Sequence, residues 1–368
     1  MIIQGELLGN YFDVIADYVE HKRIRNFSDK FSLVGRMRDA MTIDSDTEET
    51  AWVWELLKRQ LEDFDPIQYP QGDLVKRYVE HDPVIMRQIV NKSCEYLELI
   101  FYNELVNGSS TTESMSLIML IDTYAKSTLR IGLKEFYERI EGIEVESNGW
   151  PVFAIIYYLI RSGQWKEAMH FGKQSQHKSA LDFVNLYQTY IECNNSLPNE
   201  ELNQGLHILE VIYNTPMDPF KQALYTIITK QHKEPDKILQ PFMNDYLWFY
   251  LKIVTLENDQ ELLEEQRTAY APLSMTKFQQ SILEMSKELN TPEKDPFSHF
   301  KTLLIVGLYD HAIRHLTNFT NYFAHCMHYA IVFNEVGVLP NASLFEVNDI
   351  SIEYLKQTAV SSLENIRI

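Results

Sequence analysis

Four histidines near the C-terminal end are the residues best spaced for chemistry. His311 and His315 stand four apart, the spacing at which two imidazoles on one helical face can share a zinc ion. The full His-Glu-x-x-His signature needs a general-base glutamate after the first histidine, and Ala312 stands there. His325 and His328, three apart, form a second pair, and no third ligand is evident beside either. Both pairs read as partly buried or surface histidines on helices. Cys94, Cys193 and Cys326 are odd in number, far apart and each set in an apolar stretch, which predicts buried, reduced thiols and neither a disulfide framework nor a zinc site. Phosphate-cradling glycine loops are absent: there is no Gly-x-Gly and no Gly-Lys-Ser/Thr. The Gly-x-Ser-x-Gly nucleophile elbow is absent too. Carboxylates cluster on helical faces, as at Glu261, Glu264 and Glu265, where solvated surface is the expectation and an acid/base dyad is not. No residue is assigned a catalytic, cofactor-binding or metal role, and the chain is not expected to be an enzyme or to need a cofactor.

Charge points away from nucleic acid. The chain has 33 Lys+Arg against 52 Asp+Glu, a net −19, whereas phosphate binding calls for a basic stripe. The densest basic cluster, His21-Lys22-Arg23-Ile24-Arg25, suits a solvated helix end or a docking patch. The aromatic run Asp245-Tyr246-Leu247-Trp248-Phe249-Tyr250-Leu251 contains no Arg or Lys, so it predicts core packing, not a platform for nucleic-acid bases. Segments 153–159 and 322–333 are likewise apolar on all sides and predict central helices.

The N-terminus, Met-Ile-Ile-Gln-Gly-Glu-Leu-Leu, lacks the charged-then-apolar pattern of a signal peptide. The longest apolar run, Val152 to Ile160, falls well short of the ~20 residues of a membrane span. The expectation is an intracellular protein with no transmembrane segment.

Helical spacing organises the chain. Met86, Val90, Cys94, Leu97, Phe101 and Leu105 trace one stripe, Met275, Phe278, Ile282, Met285 and Leu289 a second, and Leu202, Leu206, Leu209 and Tyr213 a third. Predicted helices cover 6–20, 28–41, 46–62, 72–80, 82–106, 113–140, 150–162, 165–174, 178–193, 199–214, 219–232, 244–257, 259–269, 275–289, 298–307, 309–318, 322–335 and 350–363. Short connections predict antiparallel hairpins, with looser joints at 108–112, 142–148 and 289–296. Asn107-Gly108 and Asn148-Gly149 are placed at helix boundaries rather than in strand hairpins.

An internal echo sets the fold class. Gly163-Gln164-Trp165-Lys166-Glu167-Ala168 and Gly307-Leu308-Tyr309-Asp310-His311-Ala312 share Gly-x-aromatic-x-x-Ala after an apolar helix. Glycine can take the left-handed turn that ends a helix. The aromatic is expected to fold back onto the preceding helix, and the small Ala to admit close helix contact. The prediction is all-α: an irregular α-solenoid of stacked antiparallel hairpins over 1–368, with a compact globular helical domain as the alternative.

Five segments, in order over residues 145–340, resemble the nucleoporin-interacting component family, linker scaffold nucleoporins of the nuclear pore inner ring. They are Trp150 to Gly163, Asp218-Pro219-Phe220-Lys221-Gln222-Ala223-Leu224-Tyr225, Asp245-Tyr246-Leu247-Trp248, Phe300 to Ile313, and His328-Tyr329-Ala330-Ile331. Residues 1–144 carry no individual match and correspond to divergent N-terminal helices; 341–368 is expected to be a tail helix. Cys326-Met327 departs from the acidic residue that the family places before the histidine. Family members are longer, with an N-terminal linker region that has no counterpart here, so a fragment, a truncated gene model or a short divergent member is expected.

The resemblance implies a structural scaffold at the nuclear envelope. Such a scaffold supports pore assembly and the transport of protein and RNA by docking other scaffold nucleoporins, without direct contact to nucleic acid or a small-molecule substrate. Docking faces are expected at the stack ends, near Met1 and Ile368. A vesicle-coat or peptide-binding solenoid is the alternative reading, and an all-helical enzyme the third.

Overall fold

A computed structural model describes residues 2–24, 31–41, 48–62, 76–108, 115–128, 132–133, 143–213, 218–231, 234–256, 272–289, 296–319 and 322–339. The helices are α1 (Ile2–Ile24), α2 (Leu33–Met41), α3 (Glu48–Leu61), α4 (Pro83–Asn107), α5 (Leu117–Thr128), α6 (Val152–Arg161), α7 (Trp165–Gln174) and α8 (Lys178–Glu192). They continue as α9 (Asn199–Tyr213), α10 (Pro219–Thr229), α11 (Met243–Ile253), α12 (Met275–Leu289), α13 (Pro296–Ile305), α14 (Tyr309–Thr317) and α15 (Phe323–Val336). Among the described residues there is no strand, only the isolated bridges Val145–Pro151 and Thr255–Ser274. The fold is the expected all-helical stack of hairpins. The expected helices 259–269 and 350–363, the tail 341–368, Glu261, Glu264, Glu265, Met1 and Ile368 lie outside the described residues.

The chain forms two compact units, one from 1–93 with 279–368, the other from 94–278. In the second, α6 is the centre. Its sequence, Val-Phe-Ala-Ile-Ile-Tyr-Tyr-Leu-Ile-Arg, is rich in β-branched and aromatic residues, yet every residue of it is buried in a helix. Tertiary burial overrides intrinsic propensity here. Helices α5, α7 and α10 pack on it, and α8 on α7 and α10. Gly172 marks a close approach of α7 and α8: a Cβ there would lie 2.3 Å from Val184 Cγ1. In the first unit, α1, α2 and α3 pack in succession, α3 also meets α13, and α13, α14 and α15 follow one another. Its core is aromatic, with Trp54 against Tyr329, Phe300 against Tyr329 and Tyr309 against Phe333.

The stripes land in the core. Met86, Val90, Cys94, Leu97, Phe101 and Leu105 are all buried, as are Met275, Phe278 and Ile282, while Met285 and Leu206 are only half-buried. The Gly echo holds in the backbone. Gly163 and Gly307 share φ +73°. Each donates to the carbonyl three residues back, and the next residue donates to the carbonyl five back: Gly163 to Ile160 and Gln164 to Leu159, Gly307 to Leu304 and Leu308 to Leu303. Ala168 and Ala312 are both fully buried. The aromatics differ. Tyr309 is fully buried between Tyr78 and Phe333, whereas Trp165 is half-buried with Lys166 over its ring.

Three expectations are corrected. Helix α11 ends at Ile253, not 257, because Thr255 turns extended; its N–H and Oγ1 both donate to Leu273 O, at 2.8 and 3.2 Å. Asn148-Gly149 closes a one-bridge hairpin, with Glu146 N–H donating to Trp150 O and Val152 N–H to Glu144 O, both at 2.9 Å. Cys193 is exposed, because it caps the end of α8 just before the left-handed pair Asn194 and Asn195; Cys94 and Cys326 are buried.

A Cβ at Gly163 would meet Glu98 at an ordinary 3.4 Å, so the cost of adding one is conformational. Gly163→Ala should destabilise the protein by about 1–2 kcal/mol, and Gly163→Asn by less, in urea unfolding. Equal stability of Gly and Ala variants would refute the left-handed turn.

Candidate functional site

A buried polar arrangement in the second unit joins α4, α6 and α11. Arg161, the last residue of α6, is 2% exposed and Asp245 5%. Arg161 Nε donates to Asp245 Oδ1 at 3.1 Å and Nη1 to Leu97 O at 2.8 Å. The guanidinium lies over the rings of Phe101 at 4.7 Å and Trp248 at 5.2 Å. Trp248 Nε1 donates to Glu98 Oε1 at 3.0 Å, and Lys252 Nζ pairs with the same oxygen at 2.7 Å. Asp245, Trp248 and Lys252 share a face of α11 at steps of three and four, which is why one helix can supply them all. The matched segments Trp150–Gly163 and Asp245–Trp248 thus meet through a buried ion pair.

What this arrangement can do follows from its protonation. Burial pushes the Asp245 carboxyl up, opposed by the Arg161 charge and hydrogen bond. Burial works against the Lys252 ammonium, but Glu98, with Cys94, Tyr187 and Tyr190 beside it, holds the amine well above its usual range. A nucleophilic lysine needs the opposite shift. The group is a charge-satisfied tie between three helices.

A second cluster centres on Glu144, whose carboxylate takes Ser179 Oγ, Lys221 Nζ and His177 Nδ1. It anchors the hairpin at 144–152 to α8 and α10. Beside it, Asp218 caps α10: its Oδ1 accepts from Phe220 N–H at 2.9 Å and Lys221 N–H at 3.3 Å, with Pro219 at the first helical position. Asp218 is 1% exposed. Burial pushes its carboxyl up to about 6, although both amides and the Lys221 charge favour the anion.

The histidine pairs do not converge. His311 Nδ1 lies 2.9 Å from Asp310 Oδ1. His315 packs edge-on against His299, with ring centroids 4.5 Å apart, and against Phe319. His325 is half-buried, and His328 is buried against Tyr11 at 4.3 Å. Among the described residues no three His, Cys, Asp or Glu side chains come together as a metal-binding group. Burial pushes the Cys94 and Cys326 thiols up to about 12. Of the basic cluster, Arg23 pairs with Glu20 at the surface, and Arg25 lies outside the described residues. Among the described residues no helix is long and apolar enough to cross a membrane.

Sequence reasoning missed the roles of Glu98, Arg161 and Lys252. The signal was a charge at the edge of an all-apolar helix: Arg161 directly after Val152–Ile160, and Lys252 directly after the 245–251 aromatic run.

A family model described as Nup93/Nic96 matches residues 48–366, more than the 145–340 span of the recognised segments. The nuclear pore complex protein Nup93 of Xenopus laevis is 24% identical over 379 residues, covering 100% of this chain and 41% of that protein. Nucleoporin NIC96 of Saccharomyces cerevisiae is 27% identical over 250 residues, covering 63% of this chain and 27% of that protein. The crystal structure of Chaetomium thermophilum Nic96 SOL superposes with a TM-score of 0.64 at 18% identity, covering 92% of this chain and 50% of that one, and shows the same fold. This chain therefore spans less than half the length of the relatives it matches.

Asp218 gives the site a pH signature. Its folded-state value lies above the unfolded one, so the fold binds this proton more tightly than the unfolded chain does. That contribution is complete below about pH 4 and is lost as pH rises through 6. Asn also caps a helix and cannot ionise. The stability of Asp218→Asn relative to wild type should rise by on the order of 2–3 kcal/mol between pH 4 and pH 7, measured by urea unfolding. A pH-independent difference would contradict the assignment.

Proposed function

The chain belongs to the Nup93/Nic96 family, and from that premise we propose that it is a structural scaffold component of the nuclear pore complex, placed in the inner ring at the nuclear envelope. It works by holding other nucleoporins against its helical faces and so supports pore assembly and transport of protein and RNA. It binds neither nucleic acid nor a small-molecule substrate, and it carries out no catalysis.

The observation that carries this reading is the family match over residues 48–366. Two relatives with pore or nucleoporin names support it: the Xenopus protein, aligned with the whole of this chain, and the yeast nucleoporin. The chemistry of the described residues agrees with a static role. The buried ionisable groups serve as ties: Arg161 and Asp245 join α6 to α11, and Lys252 is held protonated by Glu98. No observation favours a vesicle-coat or peptide-binding solenoid instead.

A fluorescent fusion expressed in the source cell should give a punctate nuclear rim, and affinity capture should recover other scaffold nucleoporins. A diffuse cytosolic or vesicular pattern with no nucleoporins recovered would overturn the proposal.

A further inference from the structure

The last carbonyls of a helix have no partner within it, and at the end of α13 they are buried: Leu304, Ile305 and Val306 are at most 3% exposed. Side chains from elsewhere in the same unit supply the donors, one after another along the chain. Gln60 Nε2 donates to Leu304 O at 3.0 Å, and that oxygen also accepts from Gly307 N–H at 3.0 Å. Ser93 Oγ lies 2.7 Å from both Ile305 O and Ile89 O, its one proton serving the two. Gln279 Nε2 donates to Val306 O at 2.9 Å, and Tyr78 OH to Gly307 O at 2.5 Å. Gln60 knits the group together, donating also to Ser93 Oγ at 2.8 Å and accepting from Tyr309 OH at 3.1 Å.

Three of these four donors, Gln60, Ser93 and Tyr78, stand 244, 212 and 229 residues before the carbonyls they serve. Further ties of the unit run the same way along the chain. Tyr18 OH donates to Glu335 Oε2 at 2.9 Å. The Tyr11 ring packs at a tilt against His328, and that of Trp54 against Tyr329 at 4.7 Å. The early helices thus complete the polar end of a late helix and cover its aromatic neighbours.

We propose that the described residues of 1–93 and 279–339 form one cooperative clasp, which opens as a single body and on opening uncovers the aromatic surface of Trp54, Phe300, Tyr309 and Tyr329. A partly open clasp would strand the buried carbonyls of Ile305 and Gly307 together, and each stranded group carries a desolvation penalty. Half-open states are therefore disfavoured, and opening is all-or-none. None of the bonds that close the clasp involves the hairpins within 152–213, which belong to the other compact unit. The clasp accordingly opens while those hairpins stay formed.

Hydrogen exchange of the full chain tests this. In Gln60→Ala, peptides from 48–62 and from 296–336 should exchange faster by the same factor, roughly tenfold or more, while peptides from 152–192 keep their wild-type rates. Tyr309→Phe removes a single hydroxyl and carries the same test if Gln60→Ala does not fold. Its rise should be smaller, roughly threefold, and again equal in both segments. Faster exchange confined to one of the two segments would overturn the clasp. An equal rise extending through 152–192 would overturn it too, by showing that the whole chain opens together.

Discussion

A guanidinium buried as deeply as that of Arg161, 2% exposed, dictates what surrounds it, because arginine side chains in proteins are not deprotonated. It needs an anion, and Asp245 supplies one from 84 residues away. It needs acceptors for its remaining donors, and Leu97 O provides one. Its faces need rings, and Phe101 and Trp248 lie over it. Trp248 is in turn held by Glu98, which also neutralises Lys252. One cation thus sets how α4, α6 and α11 meet. Apolar side chains of similar volume would pack as well, and such replacements are often neutral or stabilising. What the charge adds is discrimination, since a helix slipped by one turn would leave a guanidinium buried without its carboxylate.

This constraint explains why two of the familiar segments meet, and other local constraints mark the rest. Trp150–Gly163 and Asp245–Trp248 are partners across the Arg161–Asp245 pair. Asp218-Pro219-Phe220 is a helix start, with a capping carboxylate, a proline whose missing N–H does no harm and a buried ring against Tyr157. Phe300–Ile313 spans a buried helix end, its left-handed turn and the next helix. Tyr329 packs against Phe300. Each segment is recognisable because burial, capping or backbone geometry restricts which residues can serve there.

Local rules made much of this legible. The stripe from Met86 to Leu105 announced α4, the glycines at 163 and 307 announced the turns, and Val152–Ile160 announced a central helix. Pairings across long sequence separations were not legible. Nothing local to Arg161 names Asp245, and nothing local to Gln60 names Leu304 O, because both contacts exist only once distant helices have packed. Cys193 failed for a related reason. Apolar neighbours in sequence do not say whether a residue at a helix end faces the core, and Cys193 sits at the end of α8. The extended turn at Thr255 depends on Leu273, which no pattern near 255 could indicate.

The central claim is that Arg161 and Asp245 act as one unit in joining the segments, and a double-mutant cycle in urea unfolding tests it most directly. Arg161→Ala and Asp245→Ala should each cost about 3–5 kcal/mol, because each leaves an uncompensated buried charge. The double variant should cost little more than either alone, giving a coupling energy of roughly 2 kcal/mol or more. Additive losses, with a coupling near zero, would contradict the account and leave the meeting of α6 and α11 to apolar packing alone.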